Sequence, residues 1–195
     1  VSMIGQGYSN IKVMTMHGLM WSMVRSSEFP DNPDFWRVQL PELVLDSILS
    51  DNEFSAMYDV VIVDEAQDIS NEALWLDILE LVLKSGLAAG VWQMFGDFKG
   101  QALFSGGKSE QELISNIRGR ASDISIFPLS INCRNRKSTV EQSQLIGRMS
   151  DLYSMILRTD NNEIIPSYKF YDSDQTQQNA LNETILEFLK KGYPA

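Results

Sequence analysis

The chain has 195 residues, 44% of them hydrophobic and 22% charged, with a net charge of −10 and one cysteine, Cys133. That length holds one sizeable core, or one domain and part of another. The composition excludes a disordered chain and a disulfide-stapled module, and no apolar run reaches the roughly 20 residues of a membrane span. A field this negative repels phosphates, so nucleic-acid binding would need local basic groups or polypeptide outside these residues. No basic segment followed by an apolar stretch opens the sequence, and with the lone cysteine this gives the expectation of a cytoplasmic protein.

In chain order, Ile11 to Thr15 predicts a first strand, and Thr15-Met16-His17-Gly18 a turn into a short helix over Leu19–Val24. His17 is the only histidine. Residues 26–39, with Pro30 and Pro33, read as a loop, and Pro41 opens a helix whose apolar stripe is Leu43, Val44, Ile48 and Leu49. Val60-Val61-Ile62-Val63 is a continuous β-branched run, the pattern of a strand buried on both faces in a parallel sheet. It delivers Asp64 and Glu65 at its C-terminal end, followed by Gln67 and Asp68. Ligands of open α/β sheets gather at that edge. An adjacent Asp and Glu can there divide the work of holding a divalent metal and polarising a water.

Ser70 is the expected N-cap of the next helix, with Leu74, Ile78, Leu81 and Val82 on one face, Lys84 in the last turn and Gly86 ending it. Val91 to Phe95 predicts a second carboxylate-bearing strand, ending at Gly96-Asp97. A glycine-rich loop, a short helix over Gln111–Ile117 and a strand over Ile124–Leu129 follow. Ser138 and Glu141 match a capping box for a helix whose face, Leu145, Met149, Leu152 and Ile156, reads as core. Asp160-Asn161-Asn162 is a turn and Ile164–Phe170 an edge strand interrupted by Pro166. Asp174 with Gln177 caps a last helix with the face Leu181, Ile185, Phe188 and Leu189, stopped by Gly192 and Pro194. The alternation predicts an α/β fold, a parallel sheet with helices on both faces.

Four segments, in order, resemble motifs of the superfamily-I DNA helicases of the UvrD/Rep-like branch. Val60 to Asp68, with Asp64-Glu65-Ala66-Gln67-Asp68, is similar to motif II, the Walker B element. Met94 to Phe104 is similar to motif III, Leu129 to Asn135 to motif IV with Cys133 at the usual aromatic position, and Val13 to Leu19 to the T-F-H-S segment that touches single-stranded DNA. The resemblance implies a RecA-like P-loop NTPase architecture. Residues 1–158 would be the later part of a first RecA-like domain and 159–195 the beginning of a second. It implies an ATP-dependent DNA helicase or translocase using ATP and Mg²⁺, with single-stranded DNA, or alternatively RNA, as partner and no membrane. Asp64 would hold Mg²⁺ and Glu65 would orient and deprotonate the attacking water. Gln101 would sense the γ-phosphate, and Arg134 would neutralise charge on the transferring group. Gln67 and Asp97 would tie the metal site to the coupling loop. Thr15, His17 and Phe104 would contact the nucleic acid.

The sequence departs from the family at several points. The phosphate-binding loop G-x-x-x-x-G-K-[ST] is absent from these residues, as are motifs V and VI. The chain by itself is therefore expected to lack ATPase activity. Motif III carries one extra residue before Gln101. Ser105-Gly106-Gly107 stands where the family has an aromatic and an arginine, and the short span from His17 to Asp64 leaves little room for a DNA-binding insertion. Two alternatives stand beside the helicase: a catalytically silent RecA-like interaction module, and a metal-dependent nuclease built on Asp64, Glu65, Asp68 and Asp97.

Overall fold

The computed structural model describes residues 10–24, 32, 34–98, 108–147, 153–158 and 168–193. The chain divides into two compact units, Val1–Phe127 and Pro128–Ala195.

In the first unit, Thr15 starts α1 (Met16–Val24): its Oγ1 accepts from the Gly18 N–H at 3.0 Å and its carbonyl from Leu19 N–H at 2.9 Å. A π-helical turn, Phe35–Gln39, runs into α2 (Leu40–Ser50), which carries Pro41 in its first turn. Next come β1 (Val60–Val63), α3 (Ala66–Ser70), α4 (Ala73–Val82), the short α5 (Gly86–Ala89), β2 (Val91–Met94) and α6 (Glu110–Arg118). Ser109 and Glu112 cap α6 reciprocally, Ser109 Oγ receiving the Glu112 N–H and the Glu112 carboxylate the Ser109 N–H.

β1 and β2 pair in parallel, Val60 opposite Val91 through Val63 opposite Met94. Parallel strands need a crossover, and α3, α4 and α5 provide it. Val61, Val63, Trp92 and Met94 turn inward onto the helices. Met20, Leu40, Val44, Ile78 and Val82 are fully buried around Val63. A second cluster, Leu76, Leu83, Leu87, Ile117 and Ala121, joins α4 and α5 to α6.

The β-branched run predicted a strand covered on both faces, and here the structure differs. Val60, Ile62 and Val91 are 53%, 68% and 62% exposed. Alternate strand residues point to opposite faces, and among the described residues the helices pack on one of them. The strands expected over 11–15 and 124–129 are irregular. Apolar composition does not make a strand without a neighbour for its backbone hydrogen bonds, and Ile126, Phe127 and Leu129 are exposed. The single helix expected after the acidic turn is broken between α3 and α4. Ser70 lies at the end of α3, where its hydroxyl donates to the Gln67 carbonyl at 3.1 Å, and Glu72 occupies the N-cap of α4. Helix α4 stops at Val82, ahead of Lys84, which pairs with Asp59 instead; Gly86, at a φ of 63°, begins α5.

The second unit holds β3 (Ile131–Asn132), α7 (Lys137–Gly147), β4 (Met155–Ile156) and α8 (Asp174–Lys190), with β3 and β4 parallel. Helix α7 begins at Lys137, so Ser138 lies inside its first turn. Val140 is its buried residue, and Leu145, expected in the core, is exposed. Ile156 belongs to β4, and Met149 and Leu152 lie outside the described residues. So do the turn at 160–162 and most of the strand expected over 164–170, whose last three residues are irregular. Ser173 with Thr176, rather than Asp174 with Gln177, caps α8. The helix ends where Gly192 N–H reaches the Leu189 carbonyl and Tyr193 N–H the Phe188 carbonyl, with the Phe188 and Tyr193 rings 5.5 Å apart. That is a Schellman stop with its hydrophobic contact. The face Leu181, Ile185, Phe188 and Leu189 is exposed.

Candidate functional site: the acidic turn at the end of the first strand

β1 ends at Val63, and the next two residues turn the chain sharply. Asp64 is exposed, and its Oδ1 accepts the Glu65 N–H at 3.0 Å. Glu65 occupies the left-handed region, with φ 53° and ψ 45°. A non-glycine residue held there costs on the order of 1–3 kcal/mol and persists only where its surroundings fix it. Those surroundings are visible. The Ala66 N–H donates to the Phe95 carbonyl at 2.8 Å, and the Phe95 N–H to the Val63 carbonyl at 2.8 Å, so the β1–β2 ladder clamps both sides of the turn.

Gln67 completes the arrangement. It is 3% exposed, its Nε2 donates to Glu65 Oε2 at 2.6 Å, and its Oε1 accepts the Asp97 N–H at 3.1 Å. One buried amide thus joins the carboxylate after β1 to the backbone after β2. Gly96 makes this approach possible. A Cβ there would lie 2.7 Å from Gln67 Oε1 and 3.2 Å from Ala66 N. Asp68 is held above the usual carboxylate range, first by burial and then by the charge of Glu65.

Of the residues expected at the site, Asp64, Glu65, Gln67 and Asp97 therefore meet at the C-terminal edge of β1 and β2. Gln101 and Phe104 lie outside the described residues. Thr15 and His17 stand at the start of α1, Thr15 using its hydroxyl as a cap. His17 packs edge-to-face with Trp75 and Trp36, ring centroids 5.0 and 5.8 Å away. Burial lowers the His17 pKa from its ordinary value. Neutral imidazole is then the dominant form at pH 7, able to donate one hydrogen bond but carrying no charge. Arg134 is exposed in the second unit. The buried Asn132 accepts the Arg134 and Asn135 N–H groups through Oδ1 at 3.1 and 2.9 Å, an Asx turn that fixes the backbone carrying this arginine.

A magnesium ion binds through one or two carboxylates while keeping several waters and substrate phosphate oxygens. Asp64, exposed and accepting the Glu65 backbone N–H, suits such a single-carboxylate role. Among the described residues no group of three or more His, Cys, Asp or Glu side chains could by itself hold a metal.

Sequence reasoning gave no role to Gly96, to Trp36 and Trp75, or to the donors Lys108 and Asn116 behind α3. Gly96 carried a readable signal, a glycine between a strand end and an aspartate. The others contact backbone or rings far away in the chain, which no local pattern encodes.

The geometry defines a mixed α/β chain with short parallel strands and an acidic, amide-bridged turn at the C-terminal edge of one pair. No family model matches the chain, and neither a curated protein nor a solved structure is significantly similar to it. Among the described residues no helix is long and apolar enough to cross a membrane.

Proposed function

We propose that the chain is part of an ATP-dependent DNA helicase or translocase with a RecA-like P-loop architecture, acting in the cytoplasm on single-stranded DNA. The observation that carries this reading is the Gln67 bridge. Gln67 joins Glu65, the carboxylate read as activating water, to the backbone of Asp97 at the neighbouring strand end.

In this reading Glu65 is the general base, oriented toward the attacking water by its hydrogen bond from Gln67. Asp64 would hold Mg²⁺, which when bound would neutralise charge on the phosphate oxygens. Arg134 is the arginine assigned to neutralise charge on the transferring phosphoryl group, a contribution of about 10³–10⁵ in rate where such arginines act. Gln101 senses the γ-phosphate. Thr15, His17 and Phe104 meet the nucleic-acid strand, His17 as a neutral donor. The 195 residues contain no G-x-x-x-x-G-K-[ST] loop to cradle the β- and γ-phosphates, so the chain by itself binds no ATP productively.

The test is the coding sequence upstream together with the activity of the full-length protein. A phosphate-binding loop within a few dozen residues and DNA-stimulated ATP hydrolysis support the reading. DNA-stimulated hydrolysis by the 195-residue chain itself contradicts the assignment of the missing loop.

A second reading, a RecA-like interaction module without catalysis, is favoured by the exposed apolar face Val60, Ile62 and Val91 and by the net charge of −10. Upstream sequence without a phosphate loop selects it. A nuclease draws no support from the described residues, which hold no cluster of three metal-ligating side chains.

A further inference from the structure

Helix α3 has five residues, too few to stand by its own hydrogen bonds. It nevertheless carries Gln67 and follows directly on the strained Glu65. Its front is held by the ladder and by the Asp97 N–H. Its back is held by α6 and the residues flanking it. Asn116 Nδ2 donates to the Ser70 carbonyl at 2.9 Å, and Lys108 Nζ to the Asn71 carbonyl at 2.6 Å. Arg120 Nη2 reaches the Ala73 carbonyl at 3.0 Å, while its Nε donates to Asp77 Oδ1 at 3.0 Å.

The contacts to Ser70 and Asn71 fall on the break between α3 and α4, where carbonyls lose their helical partners. Ser70 is fully buried and Asn71 only 9% exposed, so water is a poor substitute for the donors. We propose that Asn116 and Lys108 are positioning residues. They brace α3 from behind, and through α3 they hold Gln67 and the left-handed Glu65 in their working geometry. The inference rests on the functional reading for its catalytic consequence, but the brace itself is a property of this chain.

Two measurements separate the two. In the 195-residue chain, Asn116→Ala and Lys108→Ala are expected to accelerate hydrogen exchange of the amides of residues 66–71 by about tenfold or more, with Lys108→Arg close to the unsubstituted protein. Trp92→Phe, which removes the 2.7 Å bond to the Leu87 carbonyl elsewhere in the first unit, leaves those amides unchanged. Unchanged exchange in the Asn116 and Lys108 variants, or equal acceleration in Trp92→Phe, overturns the brace.

In the full-length protein, the same two alanine variants lower kcat for ATP by about 10- to 100-fold with KM nearly constant, and Lys108→Arg restores it. Accelerated exchange with unaltered kcat overturns the positioning role alone. Absence of hydrolysis by the unsubstituted protein overturns the functional reading, and the catalytic role of the brace with it.

Discussion

The side-chain amide of Gln67 lies 2.6 Å from the carboxylate of Glu65, and this contact organises the acidic turn. The same amide accepts the Asp97 N–H, so one side chain contacts both strand ends. Gln67→Ala removes one hydrogen bond to the Glu65 carboxylate and one acceptor of the Asp97 N–H. Chemical denaturation is expected to show a loss of about 1–3 kcal/mol. Gln67→Glu places a second negative charge beside Glu65, so its penalty should shrink as pH falls toward the carboxylate range.

Gly96→Ala tests the close approach of the β2 terminus to α3. The added methyl meets Gln67 Oε1 and the Ala66 backbone nitrogen, and backbone cannot swing aside as a side-chain end can. A destabilisation of about 1–3 kcal/mol is expected in a thermal or urea melt. A side chain at this place must displace Gln67 Oε1, and an unchanged midpoint contradicts the cost assigned to that displacement.

The single histidine gives a clean pH experiment. Burial against Trp36 and Trp75 lowers the His17 pKa below 6.5, so the unfolded chain binds the proton more readily than the folded one. The contribution of His17 to stability is present above pH 6.5 and is lost as pH falls through the lowered folded value. Denaturation between pH 7.5 and 5 should therefore show a decline that flattens in His17→Phe. Asp68 acts in the opposite sense at lower pH: its raised pKa means the folded protein takes up the proton first, which favours folding as the solution is acidified.

Arg134 and Asn132 separate positioning from charge in the second unit. In the full-length protein Arg134→Ala is expected to lower kcat by about 10³–10⁵ without unfolding the chain. Asn132→Ala removes the Asx turn that carries Arg134, leaving two N–H groups without their partner. It should lower both stability and kcat, whereas Asn132→Asp keeps the acceptor oxygen and most of both. Equal stability of Asn132→Ala and the unsubstituted chain contradicts the role given to the turn.

The acidic turn was legible in the sequence because its determinants are local: a β-branched run, then consecutive carboxylates and a glutamine. Val91 to Met94 was legible for the same reason. Ile11–Thr15 and Ile124–Leu129 misled because apolar composition reports a preference, while a strand also requires a partner ladder. Their backbones have none among the described residues. Ser70 misled differently. Serine before an apolar stripe reads as a cap, but here the chain breaks one residue later and the hydroxyl turns back to Gln67. The brace of Lys108, Asn116 and Arg120 was invisible because its acceptors are backbone carbonyls, which every residue has. His17 showed as a lone polar residue; its packing against Trp36 and Trp75 depends on contacts distant in the chain.

The central claim is that the turn of Asp64 and Glu65 is the water-activating half of a nucleotide site. Its most direct test is ATP hydrolysis by the full-length protein, with and without Glu65→Gln, alongside nucleotide binding. Loss of a general base predicts a fall in kcat of about 10²–10⁴ with binding of ATP and Mg²⁺ retained. Hydrolysis that is unaltered by Glu65→Gln contradicts the claim.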